Sequence, residues 1–289
     1  MQYHVDGELV PAEDATVSVT DRGFQYGDAA FETLRVYAGT LFEWDAHLDR
    51  LRNTCEKLGM PEAIPGDIRE RVEDALDANG LADAYVRLSI TRGSQPGALT
   101  PRPEVDPTVV IVLKELPRAG VEGEPRWDEP ATVKIAETRR NHPDAIPPDL
   151  KTHNYLNGIL ARLELRAADG SIEGDDAVML DTEGYVAEAT TANVFFVADG
   201  VLHTPSLEGP ILAGVTRDTV LELADERDIP VETGRYRPDR LRGADELFLS
   251  NTTGEVWPIG RLDDQQFAVG PVTEELMAAY DELVEQFYS

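Results

Sequence analysis

The chain has 289 residues, 42% of them hydrophobic, with 55 acids against 26 bases and a formal net charge of −29. That balance excludes a nucleic-acid binder, which must offer cations to phosphates. The single cysteine, Cys55, leaves no intramolecular disulfide and no cysteine zinc cluster. No apolar run approaches the roughly eighteen residues of a membrane span, and no signal-peptide pattern opens the chain. A soluble, cytoplasmic protein with no nucleic-acid or membrane partner is expected.

The first six residues and Leu9-Val10 flank Asp6-Gly7, a hairpin turn signal, and Ala15 to Val19 alternate like a further strand. Phe31 to Tyr37 and Thr40 to Phe42 predict a second hairpin about Ala38-Gly39. A helix is predicted over Asp45 to Leu58: Asp45 caps it, Leu48, Leu51, Cys55 and Leu58 recur at helical spacing, and Gly59 ends it. Cys55, on that stripe, reads as a packed residue and not a nucleophile. Asp67 to Asn79 is a second helix, closed by Gly80, and Tyr85 to Thr91 and Thr108 to Leu113 are strands. Residues 1–117 therefore read as a small α/β domain. Residues 118–125, broken by Gly120, Gly123 and Pro125, read as a linker to a larger domain over 126–289. There, strands are predicted at Val133 to Glu137, Ala177 to Asp181, Val186 to Glu188, Asn193 to Ala198 and Glu246 to Leu249. Helices are predicted at about Asn154 to Ala168, Arg217 to Arg227 and Thr273 to Tyr280.

Only four lysines occur, and Lys151 stands in Asp149-Leu-Lys-Thr-His-Asn-Tyr-Leu-Asn157. It follows a Pro-rich stretch and precedes the apolar-periodic run Leu156, Ile159, Leu160, Leu163. A lysine amine attacks an aldehyde only when deprotonated, so a catalytic lysine is desolvated or set beside other cations. Downstream, Glu188 lies in Val-Ala-Glu-Ala-Thr-Thr-Ala-Asn-Val, and Arg50 lies in His47-Leu-Asp-Arg-Leu51. The planar fork of Arg suits phosphate, although a salt-bridged helix surface is its plainer role. Gly214-Val-Thr-Arg-Asp-Thr-Val220 opens a helix whose free N–H groups at Val215 and Thr216 can hold an anion, unless Thr216 simply caps it. Ser250-Asn-Thr-Thr-Gly-Glu-Val-Trp-Pro258 reads as a polar turn in which Thr252 could add a hydroxyl. His142 and His153 flank the lysine region without metal-ligand spacing; both are expected to be structural, and no metal site is expected. Lysine, arginine, helix start, Thr turn and carboxylate together would meet every polar feature of pyridoxal 5′-phosphate.

Six segments in order resemble the class IV aminotransferase family, the fold-type IV pyridoxal-phosphate enzymes. They are Asp21 to Arg35, His47 to Leu51, Lys151 to Asn157, Glu188 to Val194, Gly214 to Arg217 and Asn251 to Val256. The resemblance implies an α/β fold with a small N-terminal α/β domain, a larger C-terminal α/β pseudo-barrel, and a homodimer. It implies Lys151 as Schiff-base lysine and proton shuttle, Glu188 on the pyridine nitrogen, Tyr155 near the phenolic oxygen, and Arg50, Val215, Thr216 and Thr252 at the phosphate. Tyr26, Phe31, Thr33, Arg87, Asn251 and Thr253 then face the substrate.

The family contains branched-chain, D-amino acid and amine transaminases and 4-amino-4-deoxychorismate lyases. Tyr85-Val-Arg87 resembles the branched-chain Tyr-x-Arg carboxylate pair, and Thr252-Thr-Gly-Glu255 resembles a transaminase loop. Against this, Phe31-Glu-Thr-Leu-Arg35 departs from the branched-chain Phe-Glu-Gly-Ile-Arg. Thr33 and Asn251 fall where the lyases carry threonine and asparagine. Lys151-x-x-Asn154 resembles the D-amino acid transaminase and lyase groups, yet the D-enzymes' Arg-His pair is not evident in Arg92 to Ala98. The expected activity is a transaminase acting on a small or hydrophobic amino acid and a 2-oxo acid, with the lyase as the alternative.

The acids are spread along the chain instead of blocked, and lysine is depleted against 22 arginines. This pattern resembles a halophile's adaptation to molar salt, where screening removes most self-repulsion. The melting temperature is accordingly expected to rise steadily between roughly 0.1 M and about 3 M KCl. A flat or falling profile would remove the salt-adaptation reading.

Overall fold

Asp6 and Gly7 both take positive φ, 48° and 96°. That turn matches the twist of paired strands, and it joins β1 (Gln2–Val5) to β2 (Glu8–Pro11) in antiparallel register. The computed structural model describes residues 1–118, 127 and 129–289. The predicted linker, residues 118–125, lies outside the described residues apart from Arg118. The chain divides into two units. One comprises the described parts of Met1–Gly123 with Leu150–Asn154 and Tyr288, the other those of Glu124–Asp149 with Tyr155–Phe287 and Ser289.

The first unit continues with α1 (Arg22–Tyr26), β3 (Ala29–Tyr37), β4 (Thr40–Leu41), α2 (Trp44–Lys57), α3 (Ile68–Asn79), β5 (Ala84–Thr91) and β6 (Val109–Glu115). Its six strands form an antiparallel sheet in the order β2-β1-β6-β5-β3-β4. One face is apolar and carries Ala30, Leu34 and Val36 of β3 with Val86, Leu88 and Ile90 of β5. These pack with Leu51, Cys55, Val72 and Leu76 of the two longer helices. Strand alternation turns Phe31, Thr33 and Arg35 to the opposite face.

Two expectations fail here. Ala15 to Val19 form no strand, and Val17 and Val19 are exposed. Their alternation finds no sheet edge to pair with, and without a ladder a half-apolar segment gains little from extension. Asp45 is not the cap of α2: the helix starts at Trp44, and its N-cap Glu43 is left-handed with φ 49° and makes no side-chain cap bond. Asp45 sits instead in the first turn, where a carboxylate still complements the helix dipole. The short α1 was not predicted. Asp21 caps it by accepting the Gly23 N–H at 2.7 Å.

The second unit holds β7 (Ala131–Ile135), α4 (Leu156–Leu163), β8 (Asp176–Leu180), β9 (Val186–Ala189), β10 (Asn193–Ala198) and β11 (Val201–Pro205). There follow α5 (Val215–Glu226), β12 (Val231–Gly234), α6 (Pro238–Arg242), β13 (Glu246–Asn251), β14 (Glu255–Leu262), β15 (Gln265–Gln266) and α7 (Pro271–Glu285). The sheet is mixed, in the order β12-β11-β10-β13-β14-β7-β8-β9 with β15 on β14. It curls so that β9 returns against β10 and β11, around a core of Val133, Val178, Val194, Phe196, Leu247, Leu249 and Ile259. The fold is the mixed α/β arrangement expected from the sequence.

The stretch read as a turn through Pro258 is only partly one, because Val256 to Pro258 belong to β14. Proline is tolerated there because pairing with β7 begins one residue later, at Ile259, beside a register shift. The helix predicted from Asn154 to Ala168 is limited to Leu156–Leu163. Its apolar stripe of Leu156, Ile159, Leu160 and Leu163 is 45–60% exposed, while Gly158 and Ala161 turn inward. A Cβ at Gly158 would stand in ordinary contact with the Thr190 carbonyl oxygen at 3.5 Å, so the packed face of the helix is the one carrying its small residues.

Buried Glu246 accepts the Thr273 N–H at 2.7 Å and the Val272 N–H at 3.2 Å, satisfying the first turn of α7. Glu246→Ala is expected to lower unfolding free energy by about 2–3 kcal/mol, read by denaturant titration in molar KCl. A loss within about 0.5 kcal/mol would mean the α7 start is held by other contacts.

Candidate active site

Lys151 is fixed by its backbone before its amine is considered. β4 reaches only Val36 and Tyr37, so the N-terminal half of β3 has an open edge. The segment around Thr152 fills that edge by antiparallel bridging to Ala30. The Phe31 N–H donates to the Lys151 carbonyl and the His153 N–H donates to the Ala29 carbonyl, both at 3.0 Å. The Lys151 N–H donates to Thr54 Oγ1 of α2 at 3.2 Å.

Alternation then sends the Lys151 side chain to the face of Phe31. Lys151 Nζ lies 4.5 Å from the centroid of the Phe31 ring, and the Arg87 guanidinium carbon lies 3.8 Å from it. Thr33 is the cross-strand partner of Arg87, and Ser89 that of Phe31, so all four side chains share this face. Two cations on one aromatic ring suit recognition of an anion, since the ring stabilises each without neutralising it.

Arg50 occupies the other side of β3. Its Nε and Nη2 donate to the two carboxylate oxygens of Glu32 at 2.8 and 2.7 Å. His47 Nδ1 lies 2.8 Å from the same carboxylate. Glu32 is buried at 1% exposure. Burial disfavours its charge, but the bonds and charges of Arg50 and His47 outweigh this and bring its pKa down to about 2. Burial pushes the pKa of His47 down, so the imidazole is neutral and donates from Nδ1. Arg50 is thus neither a solvated surface residue nor a lone phosphate clamp; its fork is set by a buried carboxylate.

In the second unit, Glu188 on β9 is buried. Its Oε1 lies 2.6 Å from Arg140 Nη2. Its Oε2 accepts the Leu212 N–H at 3.0 Å and the Asn193 amide at 3.5 Å. Asn193 Nδ2 also donates to the Leu212 carbonyl. A Cβ at Gly214 would fall 2.0 Å from Asn193 Oδ1, so this cradle requires glycine immediately before α5. That helix starts at buried Val215 and Thr216, and its N-cap Gly214 supplies no side-chain cap. Thr216 is therefore inside the helix and not its cap. Across the sheet, Asn193 pairs with Ser250. Asn251 accepts the Thr253 and Gly254 N–H groups at 3.0 and 2.6 Å, which builds the turn carrying Thr252 and Thr253.

Within the first unit, then, Lys151, Phe31, Thr33 and Arg87 come together, with Arg50 behind the strand. Tyr26 stands apart at the end of α1, 43% exposed, with the Arg22 guanidinium 4.9 Å above its ring. Within the second unit Glu188 joins the start of α5 through Asn193 and Leu212, and half-buried Tyr155 directly precedes α4. Sequence reasoning did not single out Glu32, Thr54, Ser89, Arg140 or Asn193. Only Glu32 carried a signal, as the one acid in a strand of mainly apolar residues. Among the described residues no cluster of three or more His, Cys, Asp or Glu could hold a metal, and no helix is long and apolar enough to cross a membrane.

The family profile for amino-transferase class IV matches residues 29–262. A Methanocaldococcus jannaschii protein, named provisionally as a branched-chain-amino-acid aminotransferase, is 35% identical over 98% of this chain and 96% of its own length. A Listeria monocytogenes D-alanine aminotransferase is 33% identical over 96% and 93%. Among solved structures, the branched-chain aminotransferase of Thermoproteus uzoniensis has a TM-score of 0.88 at 30% identity, covering 99% of this chain and 95% of its own. The 4-amino-4-deoxychorismate lyase of Pseudomonas aeruginosa has a TM-score of 0.78 at 32% identity, covering 97% and 98%. The chain belongs to the class IV aminotransferase family. It is a pyridoxal-phosphate-dependent transaminase in class.

Each unit by itself holds groups of the kinds that cofactor calls for. In the first these are a primary amine and an oriented guanidinium. In the second they are a fixed buried carboxylate and a helix start with no side-chain cap.

Glu32 makes the fold acid-sensitive. The unfolded carboxyl protonates near its ordinary 4.5, whereas in the folded chain it holds out to about 2. Its contribution is complete above about pH 4.5 and is lost as pH falls towards 2. Glu32→Gln is expected to cost about 3 kcal/mol at neutral pH, with the gap from wild type closing across that acid window in denaturant titrations. A gap independent of pH would show that Glu32 is not held as the anion.

Proposed function

We propose that the chain moves an amino group between a small or hydrophobic amino acid and a 2-oxo acid. The observation that carries this reading is the shared Phe31 ring: an amine and a guanidinium lie on one sheet face, 4.5 and 3.8 Å from one centroid. Arg87 meets the α-carboxylate with a bidentate fork, which fixes Cα relative to the amine of Lys151. That amine is placed to take the Cα proton and to hold it for return. Bound pyridoxal 5′-phosphate supplies the sink for the electron pair left on Cα. Glu188, oriented by Arg140 and the Leu212 N–H, would hold a proton on the ring nitrogen. Arg50, Val215, Thr216 and Thr252 take the phosphate, and Tyr155 takes the phenolic oxygen. Tyr26, Phe31, Thr33, Asn251 and Thr253 complete the substrate side. The homodimer implied by the resemblance is part of this proposal, supported by the exposed apolar stripe of α4 in a chain of net charge −29.

One observation favours the second reading, aminodeoxychorismate lyase. The hydroxyl-bearing Thr33 lies directly across from Arg87, on the face that carries Lys151. A single-turnover absorbance experiment in molar KCl, without acceptor, separates the two. Lasting conversion of the bound cofactor to its amine form by a D- or L-amino acid supports the transaminase and gives its stereochemistry. Pyruvate release from aminodeoxychorismate, with no response to amino acids, would replace it by the lyase. Arg87→Ala is expected to raise KM for amino and oxo acids alike by roughly 10–100-fold; an unchanged KM would assign the carboxylate elsewhere.

A further inference from the structure

His153 has no part in the reaction as described, yet its position is over-determined. It lies two residues beyond Lys151 on an extended segment, so both side chains leave the same face. Because Thr152 bridges to Ala30, Lys151 stands opposite Phe31 and His153 opposite Ala29. Ala29 carries only a methyl group, so the imidazole can cross β3 and reach β5. There its Nε2 lies 3.1 Å from Ser89 Oγ. On the way it meets the Phe31 ring edge-on, at 5.7 Å between centroids and 62° between planes. Ser89 is buried and is itself the cross-strand partner of Phe31. The ring whose plane is thereby set is the one carrying Lys151 Nζ and the Arg87 guanidinium.

We propose that His153, tied to Ser89, is a positioning residue that fixes the plane of Phe31 and through it the places of the Lys151 amine and the Arg87 guanidinium. This rests on the reading of Lys151 as the cofactor lysine. The charged groups that act on the imidazole are Arg87 on β5 and Asp21 at the start of α1, with Lys151 two residues before it on its own segment. Burial first, and Arg87 second, push its pKa down to about 4 against the pull of Asp21. A neutral imidazole can hold the aromatic edge without placing a third cation beside the other two. No neutral substitute lacking the hydrogen bond to Ser89 would keep the ring plane as tightly.

The test uses the holoenzyme in molar KCl with three readouts: kcat and KM, the melting temperature, and the pH midpoint of the visible absorbance of bound pyridoxal phosphate. That midpoint reports the proton on the lysine nitrogen, which a merely structural residue does not move. Ser89→Ala and His153→Phe are each expected to shift the midpoint by about half a pH unit or more and to lower kcat roughly tenfold, with a smaller effect on KM. Ser89→Thr, which keeps a hydroxyl, should restore both values. The double variant should be no worse than the worse single one, because the two act through one bond. Wild-type midpoints and kcat with only the melting temperature reduced would overturn the proposal. If His153→Phe does not fold, Ser89→Ala decides on the same readouts. Should the wild type show no bound-cofactor absorbance, the reading of Lys151 itself fails, and that is seen before any variant is made.

Discussion

Backbone pairing of Lys151–His153 with the open edge of β3 is the constraint on which the arrangement of Lys151, Phe31 and Arg87 in the first unit depends. A lysine side chain has four rotatable bonds and costs entropy to immobilise, so its usefulness depends on how firmly its Cα is held. Here two main-chain hydrogen bonds to Phe31 and Ala29 and a third to Thr54 hold it. Because β4 is only two residues long, the edge is vacant where the lysine segment needs it. The same short strand would otherwise leave unpaired donors and acceptors beside a buried ring.

Strand alternation then separates two electrostatic environments with one strand between them. Phe31 and Thr33 present an aromatic and polar surface with cations above it. Glu32, one residue away, points into the helix layer and takes the bonds of Arg50 and His47. A single-residue slip of β3 would exchange the two faces, burying Phe31 among helices and putting a carboxylate beside the lysine. The eight-residue pairing of β3 along the whole of β5 forbids that slip. In the second unit the same economy appears at Glu188, whose two oxygens face different partners, a guanidinium and a main-chain N–H. Removing any one of these partners leaves the others with unsatisfied polar groups.

Much of this was legible in the residues. The Asp6-Gly7 hairpin, the two longer helices of the first unit and the strand at Asn193 to Ala198 follow from turn chemistry and periodicity. Lys151, Glu188 and the Gly214 helix start stood out because each is an unusual residue in a patterned setting. Other features left no mark. Ala15 to Val19 alternates like a strand but has no neighbour, and alternation describes only one half of a pairing. The apolar run of α4 has helical spacing yet faces outward, and the packed side is the one carrying Gly158 and Ala161. Val256 to Pro258 looked like turn chemistry, and the proline is accommodated only because of where β7 begins to pair.

The sequence by itself therefore determined the class of chemistry, through six ordered segments that resemble one family: the scarce lysine, the downstream acid, the arginine and the helix start within them are local choices of residue type, visible wherever the chain places them. Tertiary structure alone decided what each group touches. That Arg50 is answered by Glu32, that Arg87 and Lys151 share one ring, and that His153 reaches Ser89 across Ala29 all follow from strand register. Register is fixed by pairing between segments more than 120 residues apart, from Ala29–Ala30 to Thr152–His153, roughly the span of a small domain, and no local pattern in either segment records the other.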